Sequence, residues 1–249
     1  MLIENYKVYT LQERPELVTG MNSLHSAGWA KFMLFDEVAE KYFGELPKIF
    51  PAYQFVLVNE QDKVIACGNS IPFRWDGNVD DLPGGWDDVL ARGVQEHNKG
   101  LSPNAVSAIA IVVDPDLRGK KISDFMVHTM KDLVRNTGIK QMVAPVRPSL
   151  KHKYPLIPME KYANWIRDDE APFDPWLRIH WKSKAEIVRV ASESMIIRGT
   201  VEQWESWVGM KFPESGSYII PAGLVPVEMN IEENIGTYVE PNVWMKHEL

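Results

Sequence analysis

The stretch from Ser107 to Arg147 decides the fold, and it reads SAIAIVVDPDLRGKKISDFMVHTMKDLVRNTGIKQMVAPVR. The run from Ala105 to Val113 is almost wholly apolar, which predicts a central strand buried on both faces. After a short basic loop, apolar residues recur at helical spacing: Ile122, Phe125, Met126, Met130, Leu133 and Val134. Gly138 then closes the helix, and Ile139 to Val146 returns as a second strand. This order predicts a βαβ unit with a right-handed crossover and two parallel strands.

The loop between the first strand and the helix has the character of an anion site. It consists of Arg118, Gly119, Lys120, Lys121, Ile122 and Ser123. The unpaired N–H groups at the start of a helix point at one spot, as they do in phosphate sites. The loop is basic although the formal net charge of the chain is -7. An ordinary turn with solvated lysines remains the alternative.

Two well-known nucleotide motifs are missing from the sequence. It contains neither G-x-x-x-x-G-K-[ST] nor G-x-G-x-x-G, which disfavours nucleoside triphosphatases and dinucleotide-binding proteins. It also lacks a paired-carboxylate signature, a G-x-S-x-G elbow and an H-E-x-x-H motif. We therefore expect an anionic ligand that is not a nucleoside triphosphate, and no catalytic metal.

Length and composition describe an ordinary globular protein. The 249 residues include 45% hydrophobic and 24% charged residues, enough for a sizeable core without disulfides. The negative net charge disfavours a nucleic-acid partner. A single cysteine, Cys67, excludes an internal disulfide and cysteine-cluster metal sites. No apolar run approaches the about 18 residues of a membrane span. The N-terminal MLIENYKVYT lacks the apolar core of a signal peptide, so we expect a cytoplasmic protein without a membrane partner.

The remaining patterns suggest a single domain over residues 1–249. It contains an acidic, aromatic insertion at 72–103, an irregular loop at 147–175 and a C-terminal extension at 200–249 that opens with a capping box. Periodicity and turn residues predict, in chain order, a strand at 6–10, helices at 16–26 and 29–43, a β-hairpin of 54–59 and 63–71, a helix at 87–98, a helix at 175–184, and strands at 186–198, 217–220, 224–231 and 236–244.

The segment IVVDPDLRGKKIS resembles motif A of the GCN5-related N-acetyltransferase superfamily, whose loop pattern is [Q/R]-x-x-G-x-[G/A] after a V-x-P stretch. Arg118 takes the Q/R position, and Val113 and Pro115 frame the V-x-P stretch. Lys121 stands where the family prefers glycine, and Ser123 stands at the Gly/Ala position. The segment PWLRIHWKSKAEIVRV is similar to the last helix and following strand of the family, with Lys184 and Ala185 in place of Gly and Phe. The resemblance covers about the first 200 residues.

The resemblance implies a fold, a cofactor and a reaction. The fold is the mixed α/β fold of the acyl-CoA N-acyltransferases: a mostly antiparallel sheet with a splayed parallel strand pair and helices on both faces. The donor is an acyl-CoA, expected to be acetyl-CoA. Ile111, Val112 and Val113 pair with its pantetheine arm, and the loop from Arg118 to Ser123 holds its pyrophosphate at the helix N-terminus. The acceptor amine attacks the thioester carbonyl directly.

Candidates for proton transfer are few. If Lys184 is the counterpart of the family glycine, His180 stands where the family often has a tyrosine general acid. Tyr154 in the irregular loop is a second candidate, and Tyr162 is an alternative to it; a packing role is open for each. His97 and Asp76 in the insertion are further groups that could reach an acceptor. The run Lys151 to Lys153 either flanks the cofactor phosphates or is simply solvated.

Several readings of function stay open. The partner is a small-molecule or peptide amine, and the acidic insertion would suit a cationic one. Rival readings are a longer acyl donor, an alcohol acceptor, or a catalytically degenerate domain that binds CoA or another protein. A homodimer is also left open. The tryptophans of the two loop regions either anchor those loops or line an acceptor pocket: Trp75, Trp86, Trp165, Trp176 and Trp181.

Overall fold

A computed structural model describes residues 6–249 and contains one nine-stranded sheet. Residues 1–5, which belong to the N-terminal stretch interpreted above, lie outside the described residues. The strands follow the order β1-β2-β3-β4-β5-β9-β8-β7, and β6 pairs with β9 beside this path. Their bounds are β1 Lys7–Thr10, β2 Gln54–Val58, β3 Val64–Phe73, β4 Ala105–Val113, β5 Gln141–Val146, β6 Ala185–Gly199, β7 Gly216–Tyr218, β8 Val227–Asn230 and β9 Ile235–His247.

All neighbouring strands are antiparallel except β4 and β5, which are parallel. The predicted mixed α/β fold, with a mostly antiparallel sheet and a parallel pair, is confirmed. The pairing of β4 with β5 is short, because it joins Ala105, Val106 and Ser107 to Gln141, Met142 and Val143 and then stops. Beyond that point the two strands diverge.

Helices cover both faces of the sheet. Their bounds are α1 Val18–Gly28, α2 Glu37–Tyr42, α3 Leu46–Ile49, α4 Trp86–Asn98, α5 Ile122–Asn136, α6 Met159–Ala163, α7 Pro175–Lys182 and α8 Val201–Val208. Alternate residues of a strand point to opposite faces. Thus Phe55 and Leu57 pack with the cluster of α5, α6 and α7, whereas Val56 and Val58 pack with α1. A third cluster, under α2, α4 and α8, lies on the α1 side of the sheet.

The C-terminal extension completes the sheet of this chain. Strand β9 pairs with β5 through Met142 to Val146 and with β6 along most of its length. Thr200 and Gln203 form the predicted capping box of α8, and Gly209 ends that helix with a left-handed φ of 69°. The insertion also contributes to the core, because Val89, Leu90 and Val94 of α4 are buried.

One predicted helix, at 29–43, is wrong as a single element. Residues Lys31–Phe35 form a 3-10 turn, and α2 begins only after Asp36. The Asp36 carboxylate accepts a hydrogen bond from the backbone N–H of Ala39 at 2.7 Å and caps the new helix. The chain therefore bends at Asp36, although its apolar residues keep a helical spacing. None of the helices within residues 6–249 is long and apolar enough to cross a membrane.

Candidate active site

A slot through the sheet opens where β4 and β5 part. From Ala108 onward β4 has lost its partner on the β5 side, and β5 turns to pair with β9 through Ala144 to Val146. A cavity of about 300 Å³ occupies this gap. Both strands line it, through Ala108 to Ile111 and through Ala144 to Arg147. The slot therefore exposes backbone groups of β4 and β5 in the middle of an otherwise continuous sheet.

The cavity reaches both faces of the sheet. On the α1 side its wall is formed by side chains from the segments around α1, α2 and α4 and from β6 and β9: His25, Trp29, Met33, Leu34, Ala39, Glu40, Phe43, Trp86, Met195 and Asn242. On the opposite face, Trp176 and His180 of α7 close it. The slot thus allows two molecules to meet from opposite sides of one sheet.

A β-bulge shapes the β4 wall of the slot. Asn69 pairs with Ala110 and Ser70 pairs with Ala108, so Ile109 is the extra residue. The Trp86 indole N–H donates to the Ile109 carbonyl at 2.8 Å, and the Trp86 backbone N–H donates to Ser194 Oγ at 2.8 Å. The insertion therefore fixes the bulge, and Trp86 is one of the loop tryptophans that line the cavity.

The basic loop lies between β4 and α5, as predicted. Gly119 and Lys121 both adopt left-handed φ values, of 80° and 61°, and such turns direct successive N–H groups into one concavity. Arg118 and Lys120 are exposed, and no side chain of the described residues caps the start of α5 at Lys121. The first-turn N–H groups are thus available to a ligand, although a left-handed lysine costs about 1 kcal/mol relative to glycine.

The predicted cofactor residues divide into lining and supporting groups. Ile111 lines the cavity. Val112 packs against the α1 cluster and Val113 against the α5 cluster. Ile122, the first residue of α5, is buried, and Ser123 is half-buried in the first turn of that helix. Which of them contact a cofactor stays a prediction.

The two predicted catalytic residues lie in different surroundings. His180 lines the cavity, and burial lowers its pKa well below 6.5. Lys184, four residues later, has a φ of 65°, the conformation that favours the glycine of the family pattern. Tyr154 packs its ring against Tyr162 and Trp165 and is not among the residues that line the cavity.

The other candidates also lie away from the cavity. Tyr162 is buried and donates from its hydroxyl to Asp174 at 2.8 Å. His97 packs against the Phe50 ring, and Asp76 accepts from the Asn78 N–H in a turn. Lys151 is fully buried and donates to the Tyr154 and Leu224 carbonyls, so neither predicted role of that lysine fits.

A buried ion pair ends the slot on the β5 side. Arg147 donates through Nε and Nη2 to the two carboxylate oxygens of Glu240, at 2.8 and 3.0 Å. Glu240 is fully buried and also accepts from the Tyr238 hydroxyl and Asn242 Nδ2. Since Glu240 balances Arg147, Glu40 is the one carboxylate that lines the cavity among the described residues. The lining of the cavity as a whole therefore suits a cationic ligand better than an anionic one.

His25, which lines the cavity on the α1 side, is neutral. Its Nδ1 accepts from the Trp29 indole at 3.2 Å, and its Nε2 bonds to Asn69 Oδ1 at 2.8 Å. Burial lowers the pKa of His25 to about 4, against the opposing effect of the bond to Asn69. With both ring nitrogens occupied, His25 orients Trp29 rather than exchanging protons.

Two carboxyl groups meet behind the α1-side wall. Asp36 precedes α2, and Asp87 lies in the first turn of α4. Asp36 Oδ2 and Asp87 Oδ1 are buried and have no hydrogen-bond partner among residues 6–249. Burial and then the charge of Asp36 raise the pKa of Asp87 to about 8. Asp87 is therefore largely protonated at neutral pH.

Metal ligands are not gathered at this site. Within residues 6–249, no three His, Cys, Asp or Glu side chains come together in a way that could hold a metal ion. Cys67 is fully buried beside His25, and burial raises the pKa of its thiol to about 12. It is a packed core residue and not a nucleophile at neutral pH.

Comparisons with known proteins agree with this geometry. No family model matches the sequence. The chain is 33% identical to the arginine N-acetyltransferase avaD of Aspergillus versicolor over 273 aligned residues, which cover 97% of this chain and 93% of the relative. The fold of this chain is similar to that of the loading GNATL domain of CurA from Lyngbya majuscula, with a TM-score of 0.64 and 16% identity. The match covers 98% of this chain and 97% of that one.

A second solved structure has the same fold over nearly its whole length. The GphF GNAT-like decarboxylase, solved in complex with isobutyryl-CoA, matches with a TM-score of 0.60 at 16% identity, over 97% of this chain and 98% of that one. Identity this low speaks for the fold alone. The similarity to the Aspergillus protein extends over nearly the whole of both chains. The chain therefore belongs to the GCN5-related N-acetyltransferase superfamily and is an enzyme of the N-acetyltransferase class.

Proposed function

We propose that this enzyme transfers an acetyl group from acetyl-CoA to the amine of a small cationic acceptor of the arginine type. The observation that carries the proposal is the slot, because a cavity open to both faces of the sheet lets donor and acceptor approach each other along one line. The left-handed loop before α5 supports the assignment of the donor side.

The donor binds on the face of α5 and α7. Its pyrophosphate takes the concavity formed by the N–H groups from Gly119 to Ser123, and Arg118 and Lys120 neutralise its charge. The pantetheine arm lies along β4 beyond Ala108 and takes the pairing position that β5 has left. This placement brings the thioester to the point where the strands part, next to His180.

The acceptor enters from the α1 side. Two observations support a cationic amino acid: the homologous Aspergillus enzyme is named for arginine, and Glu40 is the one carboxylate among the described residues that lines the cavity. The aromatic wall of Trp29, Phe43 and Trp86 suits the apolar stem or the flat face of such a side chain.

The reaction is direct attack. The neutral amine forms a C–N bond to the thioester carbon, the C–S bond breaks, the amine nitrogen gives up one proton and the thiolate takes up one. The slot supplies orientation, and unpaired β4 amides beyond Ser107 stabilise the oxyanion. We assign the side-chain contact with the reacting group to His180 rather than Tyr154, because His180 lines the cavity.

The test is thiol release from acetyl-CoA with a panel of amines, with the product identified by mass spectrometry. We expect turnover with arginine and agmatine, and little with leucine, which has the α-amine but not the cationic end. Acetyl-CoA binding without thiol release for any amine would favour a degenerate CoA-binding domain. Equal rates for arginine and leucine would remove the role given to Glu40.

A further inference from the structure

A buried pair of histidines connects the cavity to the C-terminal strand. His180 Nδ1 lies 2.9 Å from His247 Nε2, and the two rings belong to α7 and β9. They are 3% and 2% exposed. His180 lines the cavity, whereas His247 does not. The hydrogen bond uses Nδ1 of His180 and leaves Nε2 as the ring nitrogen available to the cavity.

Neither ring is charged at neutral pH. Burial, and then the neighbouring His247, lower the pKa of His180 well below 6.5. Burial lowers the pKa of His247 to about 4, and Lys131 and His128 of α5 act in the same direction. The bond between two neutral imidazoles contains one hydrogen. If His247 donates this hydrogen, His180 Nε2 presents an N–H to the cavity; if His180 donates it, Nε2 presents a lone pair.

The surroundings of His247 favour donation by His247. Its Nδ1 is buried and has no hydrogen-bond partner among residues 6–249. The Ser183 carbonyl acts to raise the pKa of His247, but it makes no hydrogen bond with His247 Nδ1 and accepts one from Lys131 Nζ at 2.5 Å. A buried N–H without an acceptor is rarer in proteins than an unpaired acceptor, and the nearby ammonium favours a bare lone pair. The hydrogen of His247 therefore belongs on Nε2.

We propose that His247 is a positioning residue, which holds His180 as the neutral tautomer with its hydrogen on Nε2 and so presents an N–H to the reacting thioester. The inference rests on the proposed function. In the acyl transfer His180 donates a hydrogen bond to the developing negative charge and keeps its proton. The amine proton and the thiolate proton exchange with water, so that all protons balance. A neutral imidazole can serve as such an electrophile because burial prevents its protonation.

This role gives the C-terminal extension a part in the site. His247 is the last residue of β9, where it pairs with Met142 of β5 on one side and Ala185 of β6 on the other. Strand β5 borders the slot, and strand β6 directly follows α7. Because β9 is hydrogen-bonded to a strand on each side, the extension fixes the position of His247 relative to His180.

The first test is the tautomer itself. Long-range proton–nitrogen correlation spectra of the full chain, labelled with 15N-histidine and assigned with His180→Phe and His247→Phe variants, report which ring nitrogen carries hydrogen. We expect both rings to be neutral at pH 7 with the hydrogen on Nε2. A hydrogen on His180 Nδ1, or a charged ring, would overturn the proposal. This measurement needs no substrate and is independent of the proposed function.

The second test separates positioning from packing. His247→Gln places an amide donor near the former Nε2, whereas His247→Phe fills a similar volume without a donor. We expect His247→Phe to lower kcat by about 10- to 100-fold with little change in the KM for acetyl-CoA, and His247→Gln to retain most of kcat. Equal losses in both variants, or kcat unchanged in His247→Phe, would contradict the role. Acetyl-CoA affinity by calorimetry shows independently whether the donor site is intact.

Discussion

Replacing Asp87 by Asn is expected to stabilise the protein in a pH-dependent way. In the folded chain burial and the charge of Asp36 keep Asp87 largely protonated at neutral pH, and Asp87 Oδ2 accepts the Ile196 N–H at 2.9 Å. An asparagine oriented with Oδ1 toward Ile196 would keep that bond and place its amide N–H at the position of Asp87 Oδ1, which has no hydrogen-bond partner among residues 6–249. The substitution therefore keeps the shape and the bond to Ile196 and removes the titrating group.

The sign and the size follow from linkage. The pKa of Asp87 is about 8 in the fold and 3.8 without it. Because the folded value is the higher one, the stabilising contribution of this group is fully present below pH 4 and is lost as the pH rises to 8. Each pH unit within this window costs at most about 1.4 kcal/mol. Since the residue is only partly enclosed, we expect a total advantage for the variant of about 2 kcal/mol above pH 8.

The assay is urea and thermal unfolding of both proteins between pH 5 and pH 9. The difference in unfolding free energy should grow steadily up to pH 8 and then level off, with a gain in Tm of about 4–8 °C at the alkaline end. Asp168→Asn is the matched control, because Asp168 is exposed and makes no side-chain hydrogen bond within the described chain. A difference that does not vary with pH, or a variant less stable than the parent at pH 9, would refute the raised pKa of Asp87.

Two further changes test other parts of the site. Glu240→Gln leaves Arg147 without its counter-ion and should lower the unfolding free energy by about 3 kcal/mol. Glu186→Gln, at an exposed position of β6, is the control and should change it little. Equal melting curves for the two variants would contradict the ion pair. Changing Arg118 and Lys120 together to Ala should weaken acetyl-CoA binding about tenfold and reduce its salt dependence without affecting folding. Unchanged affinity would contradict the phosphate loop.

The parts of the fold that local pattern controls are predictable from the sequence. Strand β4 has the predicted bounds because every residue of Ala105–Val113 is apolar or small. Helix α5 buries Ile122, Met126 and Met130, as its periodicity indicates. The capping box at Thr200 is also present. In each case the residues that determine the element lie within a stretch of at most nine residues.

Predictions fail where a side-chain contact that the local pattern does not show decides the conformation. The predicted helix at 29–43 is interrupted because the Asp36 side chain accepts the hydrogen bond from the Ala39 N–H and caps a new helix there. Lys151 is charged and follows a loop, so its sequence indicates exposure, but the carbonyls of Tyr154 and Leu224 solvate its ammonium inside the protein. Leu224 lies 73 residues further along the chain, and nothing near Lys151 in the sequence indicates this pairing.

The candidate site shows the same division. The loop and His180 follow from a motif, whereas the α1-side wall combines residues as distant as Trp29, Trp86 and Met195. His247 was missed as the partner of His180 because it lies 67 residues away, in an extension that the motif does not cover. The antiparallel pairing of β9 with both β5 and β6 is what brings it there.

The central claim is that the slot between β4 and β5 receives acetyl-CoA, and calorimetric titration of the unmodified protein and an Ala110→Leu variant tests it most directly. Ala110 is buried, lines the cavity and belongs to none of the three core clusters, so we expect a leucine there to fill the slot rather than to crowd one of these clusters. We predict one acetyl-CoA per chain for the parent, and affinity at least about tenfold lower for the variant with an unchanged Tm. Equal affinity of the two proteins would contradict the account.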